Sequence, residues 1–460
     1  MQTGHGGGSR QAELLARSRC STISVGPDHH LVRMADQLDW TGLEEIVQRV
    51  RDRKLKNRAG RPPHLRALIG AVVLMAQQKM TYRQAEDQIR HHAAARYLCG
   101  LTESQWSPDF TTIQDFTKLM GEEGLRLINE YVVQVAVDCK VADPSLAVAD
   151  MTAQEAAIPY PNEMGLMATF LTAVVAASKK GSAALKEFAE AVAGKVEQAK
   201  KKLREYRLFA KDKSKAAKDK MMAAVADIVE SVQSHLATAI EKAQGKGERL
   251  RKLGKMAGKR VKALHETMKK LLPQIRYWLR TGRVAAGKII NLRIPELYAI
   301  VRGKVGKAVE FGLSWGITRI GGGFVLATVA KNRGDLVDSK FAIQAVEHHR
   351  ELFGSPPKAY AYDRGGYSAE NVAELRRMGV QQIGLAPRGK GRWEVTGKVK
   401  EKLVRERALV EGCIGSIKSQ RYGFNRPGAR SEEMMGACGQ RAVLGFNLNK
   451  LQRALAGREA

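Results

Sequence analysis

The C-terminal part of the chain alternates short apolar runs with segments of helical spacing, and this order limits the folds open to it. Strand-like runs at Val309–Ile320 and Phe324–Ala330 flank Gly321-Gly322-Gly323, which indicates a β-hairpin. Strands that alternate with helices are typical of an α/β sheet. The order that follows the hairpin is helix Ser339–Phe353, strand Lys358–Tyr362, helix Ser368–Met378, strand Val380–Ala386 and helix Val404–Ser419.

A further strand is predicted far upstream. The apolar run Ser145–Asp150 ends in a carboxylate and suits a buried strand. Residues 164–290 then return to helical patterns rich in Ala, Lys and Glu, with glycine breaks at 245, 247, 254 and 258. The first strand is therefore separated in sequence from the other strands by a large helical insertion. The insertion is either a solvated spacer or a cationic surface laid along DNA.

The charge of the chain indicates its class of partner. The 460 residues include 77 Lys and Arg against 47 Asp and Glu, a formal net charge of +30. Residues 179–290 hold 29 of the basic residues and 11 of the acidic ones. Cationic surfaces gain binding free energy when phosphates release their counterions, so a nucleic acid is the expected partner. A packing protein without enzymatic activity would carry the same charge.

The sequence argues against several classes of protein. The five cysteines are scattered without a C-x2-C pair, which argues against a zinc ribbon, a zinc finger and a dense disulfide framework. The first 20 residues lack the apolar core of a secretory signal. Met164–Ser178 is apolar but shorter than the ~20 residues that span a bilayer, so a buried or amphipathic helix is expected there. We therefore expect a cytoplasmic protein of two or three domains.

Residues 36–140 predict a helical domain, after a flexible basic tail at residues 1–35. Apolar residues at helical spacing follow Pro62–Pro63, and Thr81 is placed to cap a helix over Tyr82–His91. A third helix, Thr112–Met120, would be capped by Asp109 or Thr111. Short helices with tight turns suit either a helix-turn-helix array that reads DNA or a plain helical bundle.

Three carboxylates stand out by position. Asp150 closes the first predicted strand, Asp363 follows the strand Lys358–Tyr362, and Glu411 lies on the last predicted helix. Side chains at the carboxyl ends of strands meet at one edge of an α/β sheet, so the three are expected to converge. Clustered carboxylates suit Mg²⁺ or Mn²⁺, and two such ions ~4 Å apart stabilise both oxygens in a phosphodiester displacement.

The helix around Glu411 supports this interpretation without deciding it. At about 100° per residue, Arg407 and Lys418 lie about 40° and 20° from Glu411, on one face. The expected buried stripe lies beside that face and consists of Leu403, Val410, Ile414 and Ile417. Arg407 and Lys418 would then contact DNA phosphates next to the metal site. In an ordinary amphipathic helix, Arg407 and Glu411 would be a solvent-exposed i,i+4 pair instead.

Four blocks of the sequence resemble the DDE-class bacterial insertion-sequence transposases, whose catalytic domain has the ribonuclease H-like fold. The first block is VADMTAQEAAIPYPNEMGLM around Asp150, and the second is AYDRGGYSAENVAEL around Asp363. RERALVEGCIGSIKSQRYGFNR is similar to the signature Y-x2-R-x3-E-x6-K, carried here by Arg407, Glu411 and Lys418. HLRALIGAVVLMAQQKMTYRQAEDQI, with SPDFTTIQDFTKL, resembles the helical N-terminal domain of these enzymes.

The sequence departs from the family pattern at two places. Val404 occupies the tyrosine position of the signature, and the second block reads Arg364-Gly365-Gly366-Tyr367, one glycine longer than the common form. Neither difference removes a carboxylate.

The resemblance implies an α/β catalytic domain of ribonuclease H-like type, with a mixed sheet flanked by helices. Residues 141–163 would supply its first strand and residues 291–460 the remainder. The helical N-terminal domain and the Lys-rich insertion 164–290 would complete the chain.

The resemblance also implies a function and its residues. Asp150, Asp363 and Glu411 would be catalytic and would bind two Mg²⁺ or Mn²⁺ ions, for DNA cleavage and strand transfer. The DNA contacts would include Arg407, Lys418 and Arg364, with Thr112 and Lys118 reading terminal inverted repeats. The partners would be element-end and target DNA, bound by a homodimer at the bacterial nucleoid. Two alternatives stay open: a metal-dependent nuclease on the same fold, and a non-catalytic basic DNA-binding protein.

Overall fold

The computed structural model describes residues 25–55, 63–102, 104, 106–244, 252–304, 307–330, 332–387 and 392–459. In these residues it shows a mixed α/β protein that is mostly helical. The predicted glycine breaks at 245 and 247 and most of the predicted flexible tail, residues 1–24, lie outside the described residues.

Six helices lie in the described residues that precede the sheet. Two of the sequence-predicted caps are present: Thr81 forms a capping box with Gln84, and Asp109 accepts a hydrogen bond from the Thr112 amide at 2.7 Å. Residues 30–35, expected in the flexible tail, form the start of the first helix. The sixth helix is interrupted directly after Met120, the predicted end, because Gly121 has a non-helical φ of +63° and ψ of −157°, and a second helical segment continues to Asp138. The helices are α1 His30–Gln37, α2 Trp40–Lys54, α3 Leu65–Gln78, α4 Tyr82–His91, α5 Ala93–Leu98 and α6 Phe110–Asp138.

The sheet has six strands: β1 Asp143–Glu155, β2 Tyr298–Lys304, β3 Lys307–Gly321, β4 Val325–Val329, β5 Ala359–Tyr362 and β6 Gln382–Leu385. Its order is β2-β3-β1-β5-β6, and β4 pairs with the second half of β3. β3 is antiparallel to β1, β2 and β4, whereas β1, β5 and β6 are parallel. The predicted hairpin joins β3 to β4, and Gly322 and Gly323 both have φ of +82°, which its tight turn requires.

Two features of the sheet differ from the sequence prediction. β1 does not end at Asp150 but runs on to Glu155, because its pairing with β3 continues to Gly312 although polar residues interrupt the apolar pattern. Gly312 is required there, since a Cβ would lie 1.8 Å from the Gln154 carbonyl oxygen. β2 was not predicted, and it is a short strand at the edge of the sheet.

Helices cover both faces of the sheet. Residues of α12 Asp338–Phe353 and α13 Ala369–Arg377 share a buried cluster with Ala147, Ala149, Tyr360 and Tyr362. The other face packs against α14 Gly397–Lys418 and α15 Glu432–Glu459. α14 begins seven residues before the predicted start at Val404, because Val399 continues its apolar stripe by one turn.

Five helices form the insertion between β1 and β2: α7 Glu163–Ser178, α8 Ala183–Ala191, α9 Ala193–Phe209, α10 Lys215–Gln244 and α11 Lys252–Thr281. They enclose a hydrophobic cluster of residues from 164 to 292. Gly254 and Gly258, predicted to break the helix, lie inside α11. Among the described residues, no helix combines the length and apolar character that a membrane span requires.

Candidate active site on the α14 face of the sheet

Asp150 lies on β1, and Asp363 directly follows the adjacent strand β5. In the parallel register of β1 and β5, Leu146 pairs with Ala359 and Val148 with Ala361. Extending this register two residues past its last pair leads to Asp150 on β1 and to Asp363, which directly follows β5. Neighbouring strands lie ~4.8 Å apart. Side chains alternate between the faces of a sheet, so both aspartates belong to the face that carries Val148 and Ala361. This is the face that α14 covers.

Short local hydrogen bonds orient both aspartates, which are half-buried. Asp150 Oδ1 accepts from the Met151 amide at 2.7 Å, and Asp363 Oδ1 accepts from the Gly365 amide at 2.8 Å. The second bond caps a 3₁₀ turn, Arg364–Gly366, directly after β5. Both glycines of this turn are closely packed: a Cβ would lie 2.6 Å from Asp338 at Gly365 and 2.5 Å from Tyr362 at Gly366. The turn after β5 therefore requires the Gly-Gly pair.

Further negative charge surrounds the end of β5 from the opposite face. The Tyr362 hydroxyl donates to Asp338 Oδ1 at 3.0 Å. Burial raises the pKa of Tyr362, and the charges of Asp338 and Asp150 raise it further. Burial also raises the pKa of Tyr360, with a contribution from Asp363. Three carboxylates, those of Asp150, Asp338 and Asp363, thus act on the two tyrosines of this strand.

Helix α14 carries Glu411 across the same face. Leu403, Val410 and Ile417 of the predicted stripe are buried in the core with the sheet, and Ile414 is half-buried. The predicted buried side of the helix is therefore confirmed.

Two polar contacts fix the direction of α14. Near its middle, Glu406 forms a buried ion pair of 2.6 Å with Arg319, which lies opposite Val148 in the β1–β3 register. At its end, Lys418 Nζ lies 3.3 Å from Thr152 Oγ1, four residues further along β1. The helix rises ~18 Å between these contacts and the strand ~13 Å, so α14 runs roughly in the direction of β1. Glu411 lies between the two contacts, near the level of Asp150.

Glu411 lies at the exposed flank of this helix, about 100° from Val410 around its axis. Within the part of the chain that the structure describes, no group of three or more His, Cys, Asp or Glu residues lies close enough together to hold a metal ion. The extended register puts the two aspartates on neighbouring chain segments, and the Glu411 side chain would have to turn towards the sheet to join them.

The predicted DNA-contacting residues fall into two separate places. Arg407 and Lys418 are half-buried on α14, and Arg364 is exposed in the turn after Asp363. Lys418 also lies 3.7 Å from the buried carboxylate of Glu310. These three residues therefore belong to the same elements as Glu411 and Asp363, helix α14 and the turn after β5.

Thr112 and Lys118 belong instead to the first turns of α6. Both side chains are exposed, and Lys118 forms an ion pair of 3.1 Å with Asp115. The Thr112 amide bonds to the cap residue Asp109, so the polar contacts of both residues lie within this helix and its cap. Their place in the fold is therefore the N-terminal helices and not the carboxylate face of the sheet.

Comparison with known proteins bears on the helices that precede the sheet. Residues 21–119 match the family model described as transposase domain (DUF772). The match supports a transposase, a DNA-processing enzyme with DNA as its partner. No curated protein and no solved structure matches the chain. The transposase domain covers α1 to α5 and the start of α6, including Thr112 and Lys118, and ends before the first of the three carboxylates.

Sequence reasoning missed the Arg319–Glu406 pair and Asp338. Glu406 had a signal: it lies closer to the centre of the apolar stripe of α14 than Glu411 does, which favours burial beside a partner. Arg319 and Asp338 had no such signal, because their contacts join elements remote in sequence, 87 residues apart for Arg319 and 24 for Asp338.

Proposed function

We propose that the chain is a DDE-class DNA transposase with a ribonuclease H-like catalytic domain. It binds the terminal inverted repeats of an insertion sequence, cleaves the DNA and transfers the freed strand to a target. The observation that carries this proposal is the register of β1 and β5. Extended two residues past its last pair, it leads to Asp150 and Asp363, on the face of the sheet that the helix of Glu411 covers. The mixed sheet flanked by helices and the match of the transposase domain support it.

The donor atoms suit magnesium or manganese. Asp150, Asp363 and Glu411 supply carboxylate oxygens, the ligands that these hard cations prefer, and no thiol or imidazole is needed. The three side chains would hold two ions. When bound, such ions activate the attacking oxygen and stabilise the leaving oxygen of a phosphodiester.

The neighbouring cations have separate tasks in this proposal. Lys418 and Arg407 bind phosphate beside the carboxylates, and Arg364 binds it at the end of β5. Thr152 and Glu310 contact the Lys418 ammonium group and hold it beside β1. The transposase domain reads the terminal repeats through the segment from Thr112 to Lys118. Two element ends have to be paired, so a homodimer forms on DNA.

Carboxylate-to-amide variants test the proposal. Asp150→Asn, Asp363→Asn and Glu411→Gln keep the side-chain volume but weaken metal binding, so each is expected to lose cleavage and to retain DNA binding. The substrate is a plasmid that carries the gene with its own flanking DNA, incubated with Mg²⁺ and a second target plasmid. The measurements are nicking at the element ends, joining to the target, and gel-shift affinity.

Matched controls lie on the same two elements. Asp143→Asn on β1 and Glu401→Gln on α14 remove equal charge outside the carboxylate set and are expected to leave cleavage unchanged. Wild-type cleavage by Glu411→Gln would remove Glu411 from the site. Cleavage without joining by the wild-type protein would instead favour a nuclease.

A further inference from the structure

The two longest helices of the insertion differ sharply in charge. α10 and α11 have 30 residues each and pack against one another in the bundle. α10 carries four basic and four acidic residues, whereas α11 carries nine basic residues and one acidic residue, Glu266. Packing of the bundle core does not require this difference, because both helices bury apolar stripes in the same cluster.

The positive charge of α11 is concentrated on one face. Six basic side chains are exposed and lie within about 60° of one line along the helix. They extend over 25 residues, a length of ~37 Å, close to the ~34–36 Å of one turn of B-DNA. We call them the α11 basic stripe: Lys255, Lys259, Lys262, Lys269, Lys270 and Arg280.

The positive charge of this stripe is only partly offset by the protein: the exposed Glu266, about 20° from Lys255 around the axis, is the one acidic residue of α11 on this face. Arg276, on the side of α11 that faces α10, is paired with Asp227 at 2.6 Å and Glu230 at 2.7 Å. For the six residues of the stripe, the structure shows no ion pair with any described residue. Asp227 and Glu230 of α10 are thus paired with Arg276 and not with the stripe.

A solvated spacer would not need this arrangement. Soluble helices usually intersperse both signs of charge, because like charges at i,i+3 and i,i+4 destabilise a helix by about 0.2–0.5 kcal/mol per pair. Lys255, Lys259 and Lys262 form two such pairs in succession. A row with this excess of positive charge is favourable when a polyanion lies along it.

We propose that the α11 basic stripe binds the phosphate backbone of duplex DNA. The inference rests on the proposed function only for its choice of DNA as the polyanion. Five of the six residues are lysines, which contact phosphates as point charges, so this surface holds DNA without reading its sequence.

Salt-dependent binding tests the stripe. The probe is a fluorescent 30-base-pair duplex of unrelated sequence, in EDTA, with the full-length protein. The variant K255Q/K262Q/K269Q removes three charges from the stripe. Each lost phosphate contact lowers the slope of log K against log salt by about 0.9, so the triple variant is expected to lower it by about 2.7.

The control removes the same charge from another helix of the bundle. K200Q/K201Q/R204Q changes three exposed residues of α9, where Lys200 is already paired with Glu197 at 3.1 Å. This variant is expected to lower the slope by less than half as much. Equal reductions in the two variants, or an unchanged slope in the first, would overturn the proposal. K255R/K262R/K269R retains the charge and should bind as the wild type does, so its loss of binding would also overturn it.

Two further measurements distinguish DNA binding by the stripe from misfolding and from membrane binding. Circular dichroism checks that the helices of each variant form. Vesicles of phosphatidylserine test an anionic membrane as the polyanion: vesicle binding that depends on the stripe, with duplex binding that does not, would overturn the proposal. No divalent ion is present, so the result is independent of the outcome for Asp150, Asp363 and Glu411.

Discussion

At the scale of single residues, α14 carries two glutamates with opposite environments. Glu406 is buried and paired with Arg319, and Glu411 is exposed. The apolar stripe predicted from the sequence gives the buried side of the helix, and with it the difference between the two glutamates. The partner of Glu406 could not be predicted, because Arg319 reaches it from β3 through tertiary packing. The convergence of Asp150 and Asp363 was predicted from strand ends and stays a prediction, and Asp150 lies within its strand and not at its end.

The ion pair between Arg319 and Glu406 should be costly to break on one side. Its side chains are only 10% and 12% exposed, so either charge left alone would be buried without a partner. We expect Glu406→Gln to lower the free energy of unfolding by about 3–5 kcal/mol. The double variant Arg319→Met/Glu406→Leu removes both charges and should recover most of that loss.

Urea unfolding of the two variants measures this difference. Glu401→Gln, an exposed position on the same helix, is the matched control and should change stability by less than about 0.5 kcal/mol. If the single and double variants at the ion pair lose the same stability, the cost does not come from an unpaired buried charge.

At the scale of elements, most helices and strands after β1 were predicted from periodicity, and the exceptions share a cause. β2 and the second half of β1 owe their extended conformation to pairing with β3 and not to an apolar pattern of their own. α15 was not predicted, although it packs against both the sheet and the first helices. α15 packs closely against its neighbours, and hydrophobic periodicity does not predict such close contacts.

Glycines allow this close approach of α15. A Cβ at Gly439 would lie 2.2 Å from the Trp315 ring, and one at Gly445 would lie 2.2 Å from the Ala76 carbonyl oxygen. Trp315 is fully buried, so its ring has little room to move. Gly439→Ala should therefore destabilise the protein by about 1–3 kcal/mol through overpacking, despite its better helix propensity.

Thermal or urea unfolding of Gly439→Ala checks this expectation against Gly457→Ala. Gly457 lies on the same helix, and a Cβ added there would meet no described atom within 4 Å, so alanine should cause no loss of stability. If the Gly439→Ala protein is as stable as the Gly457→Ala protein, the Trp315 ring can move away from the added methyl group with little loss of folding free energy.

At the scale of the whole molecule, the buried residues fall into groups that the chain order does not suggest. Ala437, Leu444 and Leu448 of α15 belong to the core of the N-terminal helices, and Met435 and Val443 belong to the core of the sheet. A buried polar network adds to this connection: Asn447 donates to Asn129 of α6 at 2.8 Å and to the Val325 carbonyl of β4 at 2.7 Å. Among the residues that the structure describes, the buried cluster of the insertion runs from Met164 to Leu292 and includes none from α15.

Because α15 belongs to both cores, the first helices and the sheet should unfold together, while the insertion unfolds on its own. Hydrogen exchange of wild type and Gly439→Ala in low urea tests this coupling. The variant weakens the contact of α15 with Trp315, so amides of α3, α6 and β3 should lose protection to a similar extent. Amides of α7 and α10 should keep theirs, since no residue of α15 belongs to their core. Unchanged protection in α3 and α6 beside a weakened β3 would instead show that the first helices are stable without α15, and that the shared core does not couple them to the sheet.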